Sequence, residues 1–72
     1  MTTPRQKAIE LISRLGFQSA KLVASNMSYE LGLLALTADT KEHSDEIKDR
    51  RFYWDTVFDI IKKEWHQRKL SI

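Results

Sequence analysis

The stretch Ser19–Ala38, SAKLVASNMSYELGLLALTA, decides the fold. Wound as a helix at about 100° per residue, it lines up Ala20, Val23, Met27, Leu31 and Leu34 on one face. Leu22, Tyr29, Leu33 and Leu36 fall on a second face, and Ser25, Ser28 and Gly32 fill most of the remaining side with small groups. A helix apolar on two faces has to be covered from two directions, and the segments before and after it are the available covers. The expected fold is therefore all-α: a small three-helix bundle with the middle helix central.

Working outward, the preceding segment carries a clear helix start. Thr3-Pro4-Arg5-Gln6 combines an N-cap threonine, proline at the first helical position and glutamine at the third, a capping box. Ala8, Leu11, Ile12 and Leu15 follow at i, i+3, i+4, i+7 spacing, Glu10 and Arg14 pair on the wet side, and Gly16 supplies a stop. Helix 1 is expected over Thr3–Leu15, with Phe17 folding back on the junction. Ser19 then reads as the N-cap of helix 2 over Ser19–Ala38. Gly32 inside that helix costs up to about 1 kcal/mol against alanine, so close approach of another helix along Ser25, Ser28 and Gly32 is expected. The competing reading is a hinge, or a helix-turn-helix break, near Asn26.

On the other side, Asp39-Thr40-Lys41-Glu42-His43 is polar without apolar periodicity and reads as the one substantial loop. Ser44 reads as the next N-cap, with Asp45 and Glu46 complementing the helix dipole. Helix 3 is expected over Ser44–Lys69 with Ile47, Trp54, Val57, Phe58, Ile61 and Trp65 as its stripe, widened by Tyr53 and Ile60. It is the longest helix, so its far end either protrudes or pairs with a second copy. Homodimerisation is a partner reading from the outset.

Composition bounds the rest. The 72 residues make one domain, 1–72, and contain no cysteine, so neither a disulfide nor a thiolate metal site can brace the small core. No apolar run resembles a leader or a membrane span, so a cytoplasmic protein without a membrane role is expected. The sequon Asn26-Met27-Ser28 carries no weight without a route to secretion. Net charge is +2, from 12 basic against 10 acidic residues, with basic ends and an acidic middle. That is a weaker footprint than a dedicated nucleic-acid binder shows.

Chemistry is sparsely encoded. Asp55 and Asp59 share a helix face at i,i+4, but opposite the apolar stripe and beside Lys63, where they read as solvated rather than catalytic. Glu46-Ile47-Lys48 matches the end of a nuclease-type signature whose acids need strands to present them, and no strand pattern is visible. His43 and His66 have no second ligand at metal spacing, and the two glycines form no phosphate loop, so neither metal nor cofactor is implied. The expectation is a non-enzymatic protein.

The most suggestive stretch is Arg50-Arg51-Phe52-Tyr53-Trp54. Trp54 belongs to the core stripe, while Phe52 points roughly 160° away among charged residues. Chance exposure and a contact role weigh equally there, the second because Arg and aromatic side chains concentrate at binding hot spots. Lys48, Arg51, Phe52 and Lys63 are accordingly the candidate partner-binding residues. A nucleic-acid reading would use Arg51, Lys62, Lys63, His66, Arg68 and Lys69 on phosphates, against nearby Asp45, Asp49, Asp55 and Asp59. It takes second place to a protein partner.

Thr3-Pro4-x-x-Lys7-Ala8-x-Glu10-Leu11, the Ala20–Leu36 stretch and Tyr53-Trp54-x-x-Val57-x-x-Ile60 together resemble short uncharacterised reading frames of phages and prophages of the Bacteroidetes. This chain differs from them in lacking a central cysteine and in its basic tail. The resemblance implies an accessory protein of a mobile element with no established activity; small proteins of such elements often bind and inhibit a host or defence enzyme, so an inhibitor or adaptor acting by occlusion is the expectation. It carries over no site residues.

Overall fold

The computed structural model describes residues 2–70, the side chains of 68–70 excepted. Three helices follow one another: α1 (Pro4–Leu15), α2 (Phe17–Leu36) and α3 (Lys41–Leu70). Among the described residues there is no strand. The chain is the small all-α three-helix bundle its periodicity predicts.

Local chemistry explains where the helices begin and end. The Thr3 hydroxyl accepts from the Gln6 N–H at 3.2 Å, and the Gln6 side-chain oxygen accepts from the Thr3 N–H at 3.1 Å, closing the expected box. Gly16 alone joins α1 to α2. Its N–H donates to the Ile12 carbonyl, and its own carbonyl accepts from the Ala20 N–H, so one residue ends one helix and opens the next. Its φ of +83° is what demands glycine, because a Cβ there would meet no atom within 4 Å.

Three predicted boundaries are corrected by this geometry. Ser19 is not an N-cap: the one-residue corner at Gly16 lets α2 start at Phe17, and it ends at Leu36 rather than Ala38. The Thr37 N–H and hydroxyl both donate to the Leu34 carbonyl and close that end. Nor is Ser44 the cap of α3. The Thr40 hydroxyl accepts from the His43 N–H at 3.1 Å and the Thr40 carbonyl from the Ser44 N–H at 3.0 Å, so the helix starts at Lys41 and the loop shrinks accordingly. α2 runs through Asn26 without a break, which removes the hinge reading.

Each helix contributes two residues to the buried centre: Ala8 and Leu11, Ala20 and Ala24, Val57 and Ile61. Ile12, Phe17, Val23, Tyr53, Trp54, Phe58 and Ile60 pack around it, half-buried, and Leu31 and Ile47 are buried outside that cluster. Three fully buried alanines let the helix backbones approach closely, which is how so short a chain closes a core. Trp65, expected in the stripe, sits at its exposed edge with the Lys21 ammonium 5.5 Å from its ring centre.

α2 touches both neighbours, most extensively α3, but both come to the same side of it. Its predicted second cover is therefore missing. Leu22, Tyr29, Leu33 and Leu36 are between 48% and 83% exposed, and Leu34, expected on the core face, is exposed as well. The reason is supply: α1 spans 12 residues against 20 in α2, and it is used up sealing the Ala8–Leu11 side.

Candidate protein-binding surface on helix 3

Phe52 stands 74% exposed on the outer side of α3, while Trp54, two residues on, packs against the core with its ring edge-on to Tyr53 at 5.8 Å. The helical register that buries Trp54 forces Phe52 outward. Lys48 lies one turn before Phe52 on the same exposed face. Lys63 lies further along that face, with its ammonium 3.7 Å from an Asp59 carboxylate oxygen. So an aromatic ring stands among alternating charges, and three of the four candidate residues share one wet surface.

The fourth, Arg51, does something else. Its guanidinium lies over Gly32 of α2, so close that an alanine Cβ there would stand 3.2 Å from the guanidinium carbon. Beside it the Ser28 hydroxyl donates to Asp55, which is thus engaged with α2 rather than merely solvated. Ser25, Ser28, Tyr29, Arg51, Asp55 and Phe58 line a notch of about 250 Å³ there. The small-residue side of α2 therefore does meet another helix, as its composition predicts, but through polar side chains of α3 and not through backbone contact.

This placement has a measurable consequence. Gly32→Ala should raise stability by several tenths of a kcal/mol and at most about 1 kcal/mol, because helix propensity favours alanine. The opposing contact is with the far end of a flexible, exposed side chain that can shift by the few tenths of an ångström required. In an Arg51→Ala background the gain should be at least as large. A double-mutant cycle by thermal melting checks this, and a loss of stability from Gly32→Ala in both backgrounds would refute it.

A second concavity, about 470 Å³, opens where the chain start crosses α3 and is lined by Thr2, Lys7, Asp49, Arg50, Tyr53 and Trp54. The Tyr53 hydroxyl donates to the Thr2 carbonyl at 2.9 Å and ties the two segments together. Its cations have carboxylates near them: Lys7 lies 3.8 Å from Glu10, and Arg50 lies 3.8 Å from Glu46. At such exposure those pairs are worth well under about 1 kcal/mol each.

The residues of the nucleic-acid reading do not converge. Arg51 is laid against α2, the Lys62 ammonium sits 5.4 Å from the Phe58 ring centre, and Lys63 faces Asp59. His66 is exposed, and the side chains of Arg68 and Lys69 lie outside the described residues. Among the described residues no group of three or more His, Asp or Glu side chains could hold a metal ion, and no helix is long and apolar enough to cross a membrane. What sequence reasoning missed is the Ser28–Asp55 bond and the Arg51–Gly32 contact. Both join positions far apart in the chain, and periodicity within one helix carries no signal for them.

Neither protein-family models, nor curated proteins, nor solved structures give a match to this chain.

Proposed function

We propose that the chain is a non-enzymatic binding module that recognises another protein through the outer face of α3. Phe52 is the anchor, and Lys48 and Lys63 form its charged rim. The observation that carries this is the exposure of Phe52 on a helix that already has its own core stripe. An exposed phenylalanine contributes nothing to the fold, whereas buried in a partner's pocket it supplies on the order of 150–250 Å² of apolar contact. The rim lysines then favour a pocket edged with carboxylates. A rigid helix meets a partner at little entropic cost, which suits action by occlusion of a host or defence protein. The resemblance to phage and prophage accessory proteins gives that partner class. The cytoplasm is where it would be met.

The basic residues toward the end of α3 give the nucleic-acid reading less support, because Asp55 and Asp59 immediately precede them and Glu64 stands among them. The test is a photo-crosslinking residue at position 52 of the full chain, exposed to extract of the source cells. A discrete protein adduct is expected, and Phe52→Ala should weaken binding of the captured protein tenfold or more while leaving the melt unchanged. Lys48→Glu should weaken it further. Capture through nucleic acid would instead vanish on nuclease treatment and fall steeply with salt. That result, or indifference to Phe52→Ala, would overturn the assignment.

A further inference from the structure

The uncovered side of α2 has an order that a random apolar patch lacks. Leu22 and Leu36 each stand seven residues from Tyr29, on opposite sides of it along the helix. Ser25 and Leu33 each stand four residues from it, and Asn26 and Gly32 three. Run a second copy antiparallel, with a two-fold axis at Tyr29, and the Leu22–Leu36 and Ser25–Leu33 pairs meet their mirrors, while Asn26 meets the Arg51 guanidinium that lies over Gly32. Leu22 faces Leu36 of the second copy, and Leu33 drops over the small Ser25 of the second copy. That is the self-complementarity a two-fold interface requires, large opposite large at the ends and large into small between.

We propose that this face, Leu22–Tyr29–Leu33–Leu36, is the interface of a homodimer built by antiparallel pairing of two α2 helices. Charge agrees with it. The only charged residues of α2 are Lys21 and Glu30. In this register Glu30 faces Ser28 of the second copy, while Lys21 faces Thr37 of the second copy, two residues short of its Asp39. Within the two α2 helices no like charges are opposed, although the Ser28 facing Glu30 is the one whose hydroxyl is bonded to Asp55.

Area agrees too. The four side chains, 48–83% exposed, and their small neighbours present about 600 Å² per copy, so complete coverage would remove about 1,200 Å² from water, at the lower edge of the class of stable interfaces. The pairing uses the surface that the bundle leaves open and does not need the outer face of α3. Each dimer would then carry Phe52 twice, which is why this assignment stands independently of the reading of α3.

The experiment uses the full chain. Sedimentation equilibrium at about 100 µM should give twice the 8.5 kDa chain mass. Leu22→Lys and Leu36→Glu, each at an exposed position, should separately yield monomers with unchanged helicity. Combined in one chain they should restore the dimer, because the register sets each new charge opposite its complement in the second copy. A parallel pair, or a dimer through another face, would not be restored. Since the chain contains no cysteine, Tyr29→Cys places a single thiol beside the axis, and mild oxidation should join the copies covalently. A monomer at that concentration, a dimer indifferent to both single variants, or failure of the combined variant to re-associate would each overturn the proposal.

Discussion

Replacing Ile61 by alanine should all but unfold this protein at room temperature. Ile61 is 1% exposed and, with Val57, is one of the two largest fully buried side chains among the described residues. Isoleucine-to-alanine changes in such sites cost about 2–5 kcal/mol, because the transfer energy of the lost methyl groups is joined by the cavity they leave. In a chain of this length without disulfides, one core rarely supplies more than about 3–5 kcal/mol in all. The two figures are comparable. The ion pairs within the helices, such as Glu10 with Arg14 at 3.7 Å, are exposed and offset little of it. Urea or thermal unfolding followed by circular dichroism checks the claim. Ile61→Val should remain folded with a loss of about 0.5–1.5 kcal/mol, and Ile9→Ala, at an exposed position, should cost much less than Ile61→Ala. If Ile61→Ala melts within a few degrees of the parent, the core is not where these contacts place it. A stronger homodimer would raise every midpoint with concentration, so the series is compared at one fixed concentration.

The start and stop of α1 were legible because each rests on chemistry that is local in sequence. Thr3 with Gln6 and Gly16 with its positive φ need nothing beyond their own neighbours. The stripe of α3 was legible for the same reason, and with it the outward direction of Phe52. What was not legible depends on which neighbour is available. Thr40 and Ser44 are both hydroxyl residues with only polar residues between them, so no periodic signal chose the cap. The apolar character of Leu22, Tyr29, Leu33 and Leu36 is plain in the sequence, but the number of helices free to cover them is a property of the whole chain. Arg51 illustrates the same limit at the candidate surface. Its wheel position marks the flank of the stripe, and only the packed structure shows its guanidinium spending that position on the open space above Gly32.

Ala24 is the sharpest case, and it carries the second large expected effect. Its position lay just beside the expected core face of Ala20, Val23, Met27, Leu31 and Leu34, and the bundle buries it completely. Packing three helices around Ala8, Ala20 and Ala24 rotates α2 slightly toward its small-residue side. That brings Ala24 into the centre and turns Leu34 out. If so, the methyl group is the largest side chain the site accepts. Ala24→Leu adds three carbons between helices that already touch and should cost about 1–3 kcal/mol by overpacking. Leucine at exposed Ser19, on the same helix, should change stability by no more than about 0.5 kcal/mol. Helix propensity cannot account for such a gap, since alanine and leucine are both strong helix formers. On thermal melts the two variants should separate by several degrees, with about 4–8 °C expected per kcal/mol in a domain of this size. Equal melting of the two would mean that α2 presents a different face to α3, with Leu34 turned back inside, and the apolar surface now assigned to a second copy would then have to be redrawn.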